Sequence, residues 1–408
     1  MKFDLFHSVG RIDSVPKPIS DRQVFEQFFD QVQLGESIGL QTIWVAESHF
    51  SSEVQKSHPA PVIPNYRGEV GLNADSFQLA QALFQRTERI GFGTAILNIV
   101  GGNGGPIAAA DRVRSLTYLN SLSSDPRELN IGVAAGRFPY INAPFGIVPR
   151  NETEEVLWPQ YKQLIFVEAL EIFLRLVHGE TLGSEDVCRH MITEKFFRDP
   201  DDLAVTNEKL KALGAGAVEA DGIPYVPRWD FLPLKLVPAQ TADDWEGKVR
   251  FVLGSSDPYA RDHGSKFADL DIFNLSFTPP DKLNLIHREM TQRYQEIGRQ
   301  WRRDRLPRTV LVFIHKDPGK AKQLAEDCFD TYIEAMRGTV RLPPKEVLME
   351  RALIGDPAAI REQLAPGHPK GFDDNDRLML WFEFNQTDGD AIHQQMRLFG
   401  DQVIAKLP

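Results

Sequence analysis

The chain has 408 residues, of which 42% are hydrophobic and 25% charged, so it is long enough to bury a core and is neither disordered nor fibrous. Asp and Glu number 57 against 46 Lys and Arg, and the formal charge of −11 argues against nucleic acid or an anionic membrane as the main partner. A small-molecule ligand is therefore expected.

Two cysteines, Cys188 and Cys328, form no CxxC pair and support neither a disulfide framework nor a structural zinc site. The first residues, MKFDLFHSVG, contain charged side chains where a signal peptide needs an unbroken apolar run. No stretch of about 18 apolar residues follows, as a membrane span would require. The sequence predicts a cytoplasmic protein.

The first part of the chain alternates predicted strands with predicted helices. Residues 2–6 predict a short strand, and residues 21–38 carry apolar side chains at helical spacing behind Ser20. Further strands are predicted at 39–47, 91–99 and 128–134, and further helices at about 74–88, from Pro106 onward, and at about 154–178.

Residues 180–245 interrupt this alternation with charge runs and the proline-spaced stretch IPYVPRWDFLPLKLVP. Because this stretch has neither helical nor strand periodicity, it predicts an insertion or a lid. The alternation then resumes, with strands predicted at 248–256, 270–277, 308–315 and 378–384, each followed by a helical stretch.

Eight mostly apolar strands alternating with helices predict a (β/α)8 TIM barrel, as a single domain over 1–408 with the insertion between strands 4 and 5. A doubly wound sheet is the alternative. However, neither GFGTAI nor GGNGGP has the three glycines of the dinucleotide-binding motif GxGxxG.

In such a barrel the site lies at the carboxyl ends of the strands. Glu47, Ser48 and His49 follow the second strand, and an imidazole beside a carboxylate suits proton transfer near neutral pH. Alternatively, His49 is structural and Glu47 anchors a loop through backbone N–H groups. Glu47 and Glu383, which ends the eighth strand, could instead be a glycosidase pair, although the sequence gives no distance between them.

Ser255 and Ser256 follow the fifth strand and precede a helix start at Asp257, which predicts a phosphate cradle, with a plain helix cap as the alternative. Arg137 and Arg150 follow the fourth strand and could add positive charge, or they could be solvated surface arginines. Asn142 belongs to the same loop and is a further candidate. No metal-binding motif occurs, and no metal site is predicted.

Five segments in order resemble the bacterial luciferase-like, flavin-dependent monooxygenases. The segments are GESIGLQTIWVAESHF, RIGFGTAILNI, ELNIGVAAGR with Phe145–Gly146 after it, VLGSS followed by ARDHG, and the ending from IGDPAAIREQL onward. The resemblance covers nearly the whole chain except about residues 180–245.

The resemblance implies a barrel that binds reduced FMN delivered by a separate flavin reductase. It also implies reaction of the FMN with O2 to a flavin hydroperoxide that oxygenates a small organic substrate. By position, the flavin ring would lie near Thr94, Ala95, Ile96 and Ala135, and the phosphate near Ser255 and Arg150. The resemblance also implies a cis peptide at Ala95–Ile96, and a homodimer is expected.

Two positions depart from the family pattern. Its paired histidines are here Ser48–His49, so the serine replaces the histidine that acts as base in luciferases. The arginine of the fourth-strand loop falls on Ala135, with Arg137 two residues later. A deazaflavin-dependent oxidoreductase of the same fold and a non-enzymatic flavin-binding protein are the alternative functions.

Overall fold

The computed structural model describes residues 1–58, 61–136, 138–197, 199–239, 248–255, 257–274, 277–338 and 342–407. The strands are β1 (Lys2–His7), β2 (Arg11–Ile12), β3 (Thr42–Val45), β4 (Gly68–Glu69), β5 (Gly91–Thr94), β6 (Leu97–Asn98), β7 (Leu129–Ala134), β8 (Met191–Ile192), β9 (Ile223–Pro224), β10 (Val249–Leu253), β11 (Leu270–Ile272), β12 (Arg308–Ile314), β13 (Leu353–Gly355) and β14 (Arg377–Trp381). The helices are α1 (Asp21–Ser37), α2 (Ser52–Gln55), α3 (Ser76–Phe84), α4 (Gly105–Ser121), α5 (Pro139–Asn142), α6 (Glu152–Val156), α7 (Trp158–Val177), α8 (Pro200–Ala212), α9 (Pro258–Gly264), α10 (Pro280–Glu296), α11 (Pro318–Ala335), α12 (Lys345–Arg351), α13 (Pro357–Leu364) and α14 (Gly389–Gln402).

The main sheet is parallel and curls round on itself. Its strands are hydrogen-bonded in the order β11, β10, β7, β5, β3, β1, β14, β12 and β13, and β6 also pairs with β7. Asn274, which follows β11, forms a parallel bridge with Arg308 at the beginning of β12. The curled sheet is consistent with the predicted barrel. All eight predicted strands occur in it, whereas β13 was not predicted.

Local sequence signals explain where several elements begin. α1 begins behind a capping box, in which the Ser20 hydroxyl accepts from the Gln23 backbone N–H and the Gln23 side chain accepts from the Ser20 N–H. The predicted strand 91–99 is divided into β5 and β6 at the Ala95–Ile96 peptide bond, which is cis. The predicted helix 154–178 is divided into α6 and α7, because Pro159 lacks the N–H that would continue the first helix.

The inside of the curled sheet is apolar in its middle and ionic at the amino-terminal ends of the strands. The buried interior side chains are Phe6, Trp44, Val252 and Met379. Beneath them, Arg377 Nε donates to Asp4 Oδ2 over 2.5 Å and Arg377 Nη1 donates to Glu128 Oε1 over 2.6 Å. This network occupies the amino-terminal ends of the strands, and in barrels of this class ligands bind at the carboxyl ends.

α7 is buried along most of its length and carries two fully enclosed glutamates. Glu168 accepts hydrogen bonds from the Tyr225 hydroxyl over 2.5 Å and from the backbone N–H groups of Arg228 and Trp229 over 3.0 and 3.2 Å. These bonds tie the chain around residue 228 to the barrel. Although α7 is long and apolar, none of the helices in the described ranges has the length and hydropathy needed to cross a bilayer.

The predicted insertion at 180–245 contains a helix, α8, that the sequence analysis missed. The Asp199 side chain caps it by accepting from the Asp201 N–H over 2.9 Å, and Pro200 occupies its first turn. An antiparallel bridge joins Leu182 to Leu234. Residues 240–247 lie outside the described residues. The role of the segment as an insertion or lid stays a prediction.

Candidate active site

Four partly buried side chains at the carboxyl ends of strands form an apolar floor at the open end of the barrel. They are Ala46 after β3, Ala95 after β5, Phe273 after β11 and Trp381 at the end of β14. Among the described residues, the buried Trp381 Nε1 has no hydrogen-bond partner. A buried donor beside an apolar surface suits a planar ligand that carries polar atoms.

The residues predicted near the flavin ring lie at the carboxyl ends of β5 and β7. Ala95, Ile96 and Ala135 are half-buried, and the Ala95–Ile96 peptide is cis, as the resemblance implies. Thr94 is fully buried, and its hydroxyl donates to the carbonyl oxygen of Gly132 over 2.8 Å. Thr94 therefore connects the end of β5 to β7 through its side chain.

Gly254, at the end of β10, lies close against Ile96. A Cβ atom at position 254 would lie 2.3 Å from Ile96 Cδ1 and 3.1 Å from the Ala134 Cβ. Any larger residue would have to displace the side chain next to the cis peptide. This close approach packs the residue after β10 against the residues that follow β5.

Glu47 and His49 form a hydrogen-bonded pair at the carboxyl end of β3. His49 Nε2 lies 3.1 Å from Glu47 Oε1, and the Glu47 side chain is 1% exposed. Asn103 Nδ2 donates to the same oxygen over 2.6 Å, and the Ser76 hydroxyl donates to Oε2 over 2.8 Å. The buried carboxylate thus has three donors, which fix both its position and that of the imidazole.

Gly102 holds the other side of the His49 ring. A Cβ atom at position 102 would lie 2.6 Å from His49 Cδ2 and 2.7 Å from His49 Nε2. The ring is therefore held between a glycine and a carboxylate. An imidazole with one fixed nitrogen and a small exposed fraction, 11% for this side chain, is suited to proton transfer to a bound ligand.

Ser48 is buried beside this pair. Among the described residues, its hydroxyl has no hydrogen-bond partner. The Tyr140 hydroxyl lies close enough to interact with it, and burial raises the pKa of Tyr140 to about 12. Both hydroxyl groups are neutral near pH 7 and can serve as hydrogen-bond donors.

Asn142 connects the loop after β7 to β6. Its Nδ2 donates to the Ala135 carbonyl over 2.8 Å, and its Oδ1 accepts from Asn98 Nδ2 over 2.8 Å. Both ends of the amide are therefore engaged with the protein. Asn142 shapes the loop in which Arg137 was predicted to act, and Arg137 itself lies outside the described residues.

The residues predicted for the phosphate have different surroundings. Arg150 donates to Glu154 and, over 2.9 and 3.0 Å, to the carbonyl oxygens of Val226 and Pro227. The Ser255 Oγ accepts from the Asp257 N–H over 3.1 Å, and its hydroxyl donates to no other group among the described residues. Ser256 lies outside the described residues.

Glu383 anchors a different loop from Glu47. Glu383 Oε1 accepts from the Ser8 backbone N–H over 2.7 Å and from the Ser8 hydroxyl over 2.8 Å. The two carboxylates considered as a glycosidase pair thus each hold their own loop at the carboxyl ends of the strands.

Sequence reasoning missed four polar residues of this site, which are Ser76, Asn103, Tyr140 and Trp381. Asn103 lies in the glycine-rich run 101–105, which follows the third predicted strand. A small polar residue within such a run was the available signal. The reach of Ser76 to Glu47 depends on the packing of α3 and had no signal in the sequence.

Comparison with known proteins gives a family. The profile of the family described as "luciferase-like monooxygenase" matches residues 1–374. The chain belongs to this family. The membership confirms the resemblance inferred from the five sequence segments. No curated protein sequence matches the chain.

Several solved structures share the fold. The monooxygenase RslO1 from Streptomyces bottropensis has 14% identity and a TM-score of 0.69, with 99% of each chain covered. The oxygenating constituent of 3,6-diketocamphane monooxygenase from Pseudomonas putida, in complex with FMN, has 16% identity and a TM-score of 0.61, with 100% of this chain and 99% of that chain covered. An F420-dependent secondary alcohol dehydrogenase has 12% identity and a TM-score of 0.55, again with 100% and 99% covered.

Proposed function

We propose that the protein is a monooxygenase that uses reduced FMN and O2 to oxygenate a small organic substrate. The observation that carries the proposal is the apolar floor at the open end of the barrel, with the unpartnered indole N–H of Trp381 beside it. A flavin ring is planar, apolar on its faces and polar along one edge, so it fits these surroundings. Among the fold neighbours, the 3,6-diketocamphane enzyme is a monooxygenase described in complex with FMN.

Ala95, Ile96 and Ala135 would contact the ring, and Trp381 and Ser48 would donate hydrogen bonds to its polar edge or to the substrate. When bound, the reduced flavin supplies the electrons for the activation of O2. The chain's own contribution is to exclude water with the apolar floor and to orient the ring. Because the Ser255 hydroxyl keeps a free proton, it is the donor that we propose for the phosphate.

His49 is the proposed proton-transfer group. Glu47 and Gly102 hold its ring at the carboxyl end of β3, and a serine occupies the neighbouring position. General acid–base assistance of this kind is typically worth about 10²–10⁴-fold. His49→Ala should lower turnover at least about tenfold while changing FMN affinity less than about threefold, because the phosphate donor lies on a different strand.

The test measures FMN binding by fluorescence titration and then O2 consumption in the presence of NAD(P)H and a flavin reductase. Substrate-dependent O2 consumption supports the proposal. Reduction or oxidation of F420 without O2 consumption would instead indicate a deazaflavin-dependent activity, such as that of the F420-dependent alcohol dehydrogenase among the fold neighbours. Flavin binding without any turnover over a broad substrate panel would indicate a flavin carrier.

Ser255→Ala tests the phosphate position. Loss of one donor to a charged acceptor should weaken FMN binding by about 1–3 kcal/mol and leave riboflavin binding unchanged. The exposed Ser123 provides a matched Ser→Ala control. Equal FMN affinity in Ser255→Ala and wild type would place the phosphate elsewhere.

The supply of reduced FMN by a separate reductase and a homodimeric assembly belong to the same proposal. Leu119 and Leu122, at the end of α4, are 55% and 67% exposed, and such apolar side chains support contact with a second copy. Light scattering coupled to size exclusion measures the mass directly.

Limited proteolysis of residues 190–239 with and without FMN tests the lid prediction.

A further inference from the structure

A second polar cluster lies between α7, the chain before β8, and α9. It consists of Glu171 on α7, His190 just before β8, and His263 on α9, and all three are buried. One potential ligand atom from each residue lies within 4.8 Å of the other two. Three potential metal ligands from distant parts of the chain thus meet inside the protein.

The orientation of Glu171 is fixed by the protein. Its Oε1 accepts from Arg175 Nη1 over 3.0 Å and from the backbone N–H of Cys188 over 3.1 Å. The other oxygen, Oε2, lies 2.7 Å from His263 Nε2. One carboxylate oxygen is therefore held by the scaffold, while the other faces a histidine inside the cluster.

His190 contributes an unpartnered nitrogen. It is 6% exposed, its ring centre lies 4.9 Å from that of His263, and its Nδ1 lies 2.9 Å from the Tyr259 hydroxyl. Its Nε2 has no hydrogen-bond partner among the described residues. Buried polar atoms without partners are rare in proteins, and one of them requires a reason.

We propose that Glu171, His190 and His263 bind a divalent transition-metal ion, with Zn2+ as the preferred metal. Two imidazole nitrogens and one carboxylate oxygen are a frequent set of protein ligands for zinc, with water in the fourth position. The ion replaces the proton between His263 Nε2 and Glu171 Oε2 and uses the free Nε2 of His190. The Tyr259 hydroxyl accepts from His190 Nδ1 and fixes the tautomer, as outer-shell partners do in zinc sites.

The site would fasten α9 to α7. α9 begins at Pro258, three residues after Ser255, so the metal stabilises the helix that follows the proposed phosphate donor. The sequence analysis predicted no metal site, because Glu171 and His263 are 92 residues apart and no motif links them. The proposal does not depend on flavin binding, and its test uses neither flavin nor turnover.

The experiment titrates the full-length protein, freed of metal by a chelator, with Co2+ and then with Zn2+. We expect one equivalent of Co2+ per chain, with the visible absorption of tetrahedral coordination, and its displacement by Zn2+. Thermal unfolding should shift to higher temperature with Zn2+, because binding to the native state stabilises it.

His190→Gln should weaken binding at least about 100-fold, since loss of an outer-shell partner alone costs about 10–100-fold. The exposed His58 provides a matched control, and His58→Gln should bind as wild type does. Equal affinity in His190→Gln and wild type would overturn the proposal. Absence of saturable Co2+ absorption in the wild-type protein would overturn it as well, whatever the variants do.

Discussion

Glu47 is the residue on which the geometry of the candidate active site depends, and Glu47→Gln tests this dependence. Three donors point at its carboxylate, from His49, Ser76 and Asn103. An amide keeps one acceptor oxygen and introduces an NH2 group. One side of the network must therefore lose its hydrogen bond.

The less costly orientation keeps the amide oxygen toward Asn103 and His49. The NH2 group then faces the Ser76 hydroxyl, which already accepts from Asn73 Nδ2 over 3.1 Å. The variant loses one charge-assisted hydrogen bond and weakens two others. We expect a loss of about 1–3 kcal/mol in the free energy of unfolding, because a hydrogen bond to a charged group contributes about 1.5–3 kcal/mol.

Urea denaturation followed by tryptophan fluorescence measures this loss. Glu208→Gln, at an exposed position of α8, is the matched control and should change the free energy of unfolding by less than about 0.5 kcal/mol. If Glu47→Gln is as stable as the control, the three hydrogen bonds do not hold the carboxylate, and the assignment of His49 as an oriented proton-transfer group fails with them.

Two further variants test other contacts. Gly102→Ala places a Cβ 2.6 Å from His49 Cδ2 and should lower the free energy of unfolding in urea by about 1–3 kcal/mol. Gly216→Ala, where the new Cβ meets open space, is the control and should lower it far less. Equal losses in the two variants would contradict the close approach of Gly102 to His49. Burial by itself would raise the pKa of Glu154. The hydrogen bonds from Arg150 and the positive charges of Arg150 and Arg228 have the larger effect and hold this pKa below its ordinary value of 4.5. A carboxyl with a lowered pKa stabilises the native state above its ordinary pKa, so Glu154→Gln should be less stable at pH 7. The difference should shrink as the pH falls below 4.5, and a constant difference across this range would refute the ion pairs.

The sequence alone determined the order of the elements and the strand ends at which the candidate residues were sought. Mostly apolar runs such as 128–134 and 308–315 predict buried parallel strands, because a strand covered on both faces carries apolar side chains at most positions. Ser20 and Asp257 predict helix starts, and both cap helices in the structure. The residues after each strand follow directly from this pattern, so Glu47, His49 and Ser255 could be selected as candidates.

Only the tertiary structure decided which side chains meet. The approach of Ser76 and Asn103 to Glu47, and of Gly102 to His49, depends on how α3 and the glycine-rich loop pack, and no local pattern encodes such a distance. The same holds for Arg150, whose hydrogen bonds to Val226 and Pro227 cross 76 and 77 positions of the chain. Periodicity reports which face of an element is buried, whereas contacts between elements depend on the complementary shapes of all the packed surfaces.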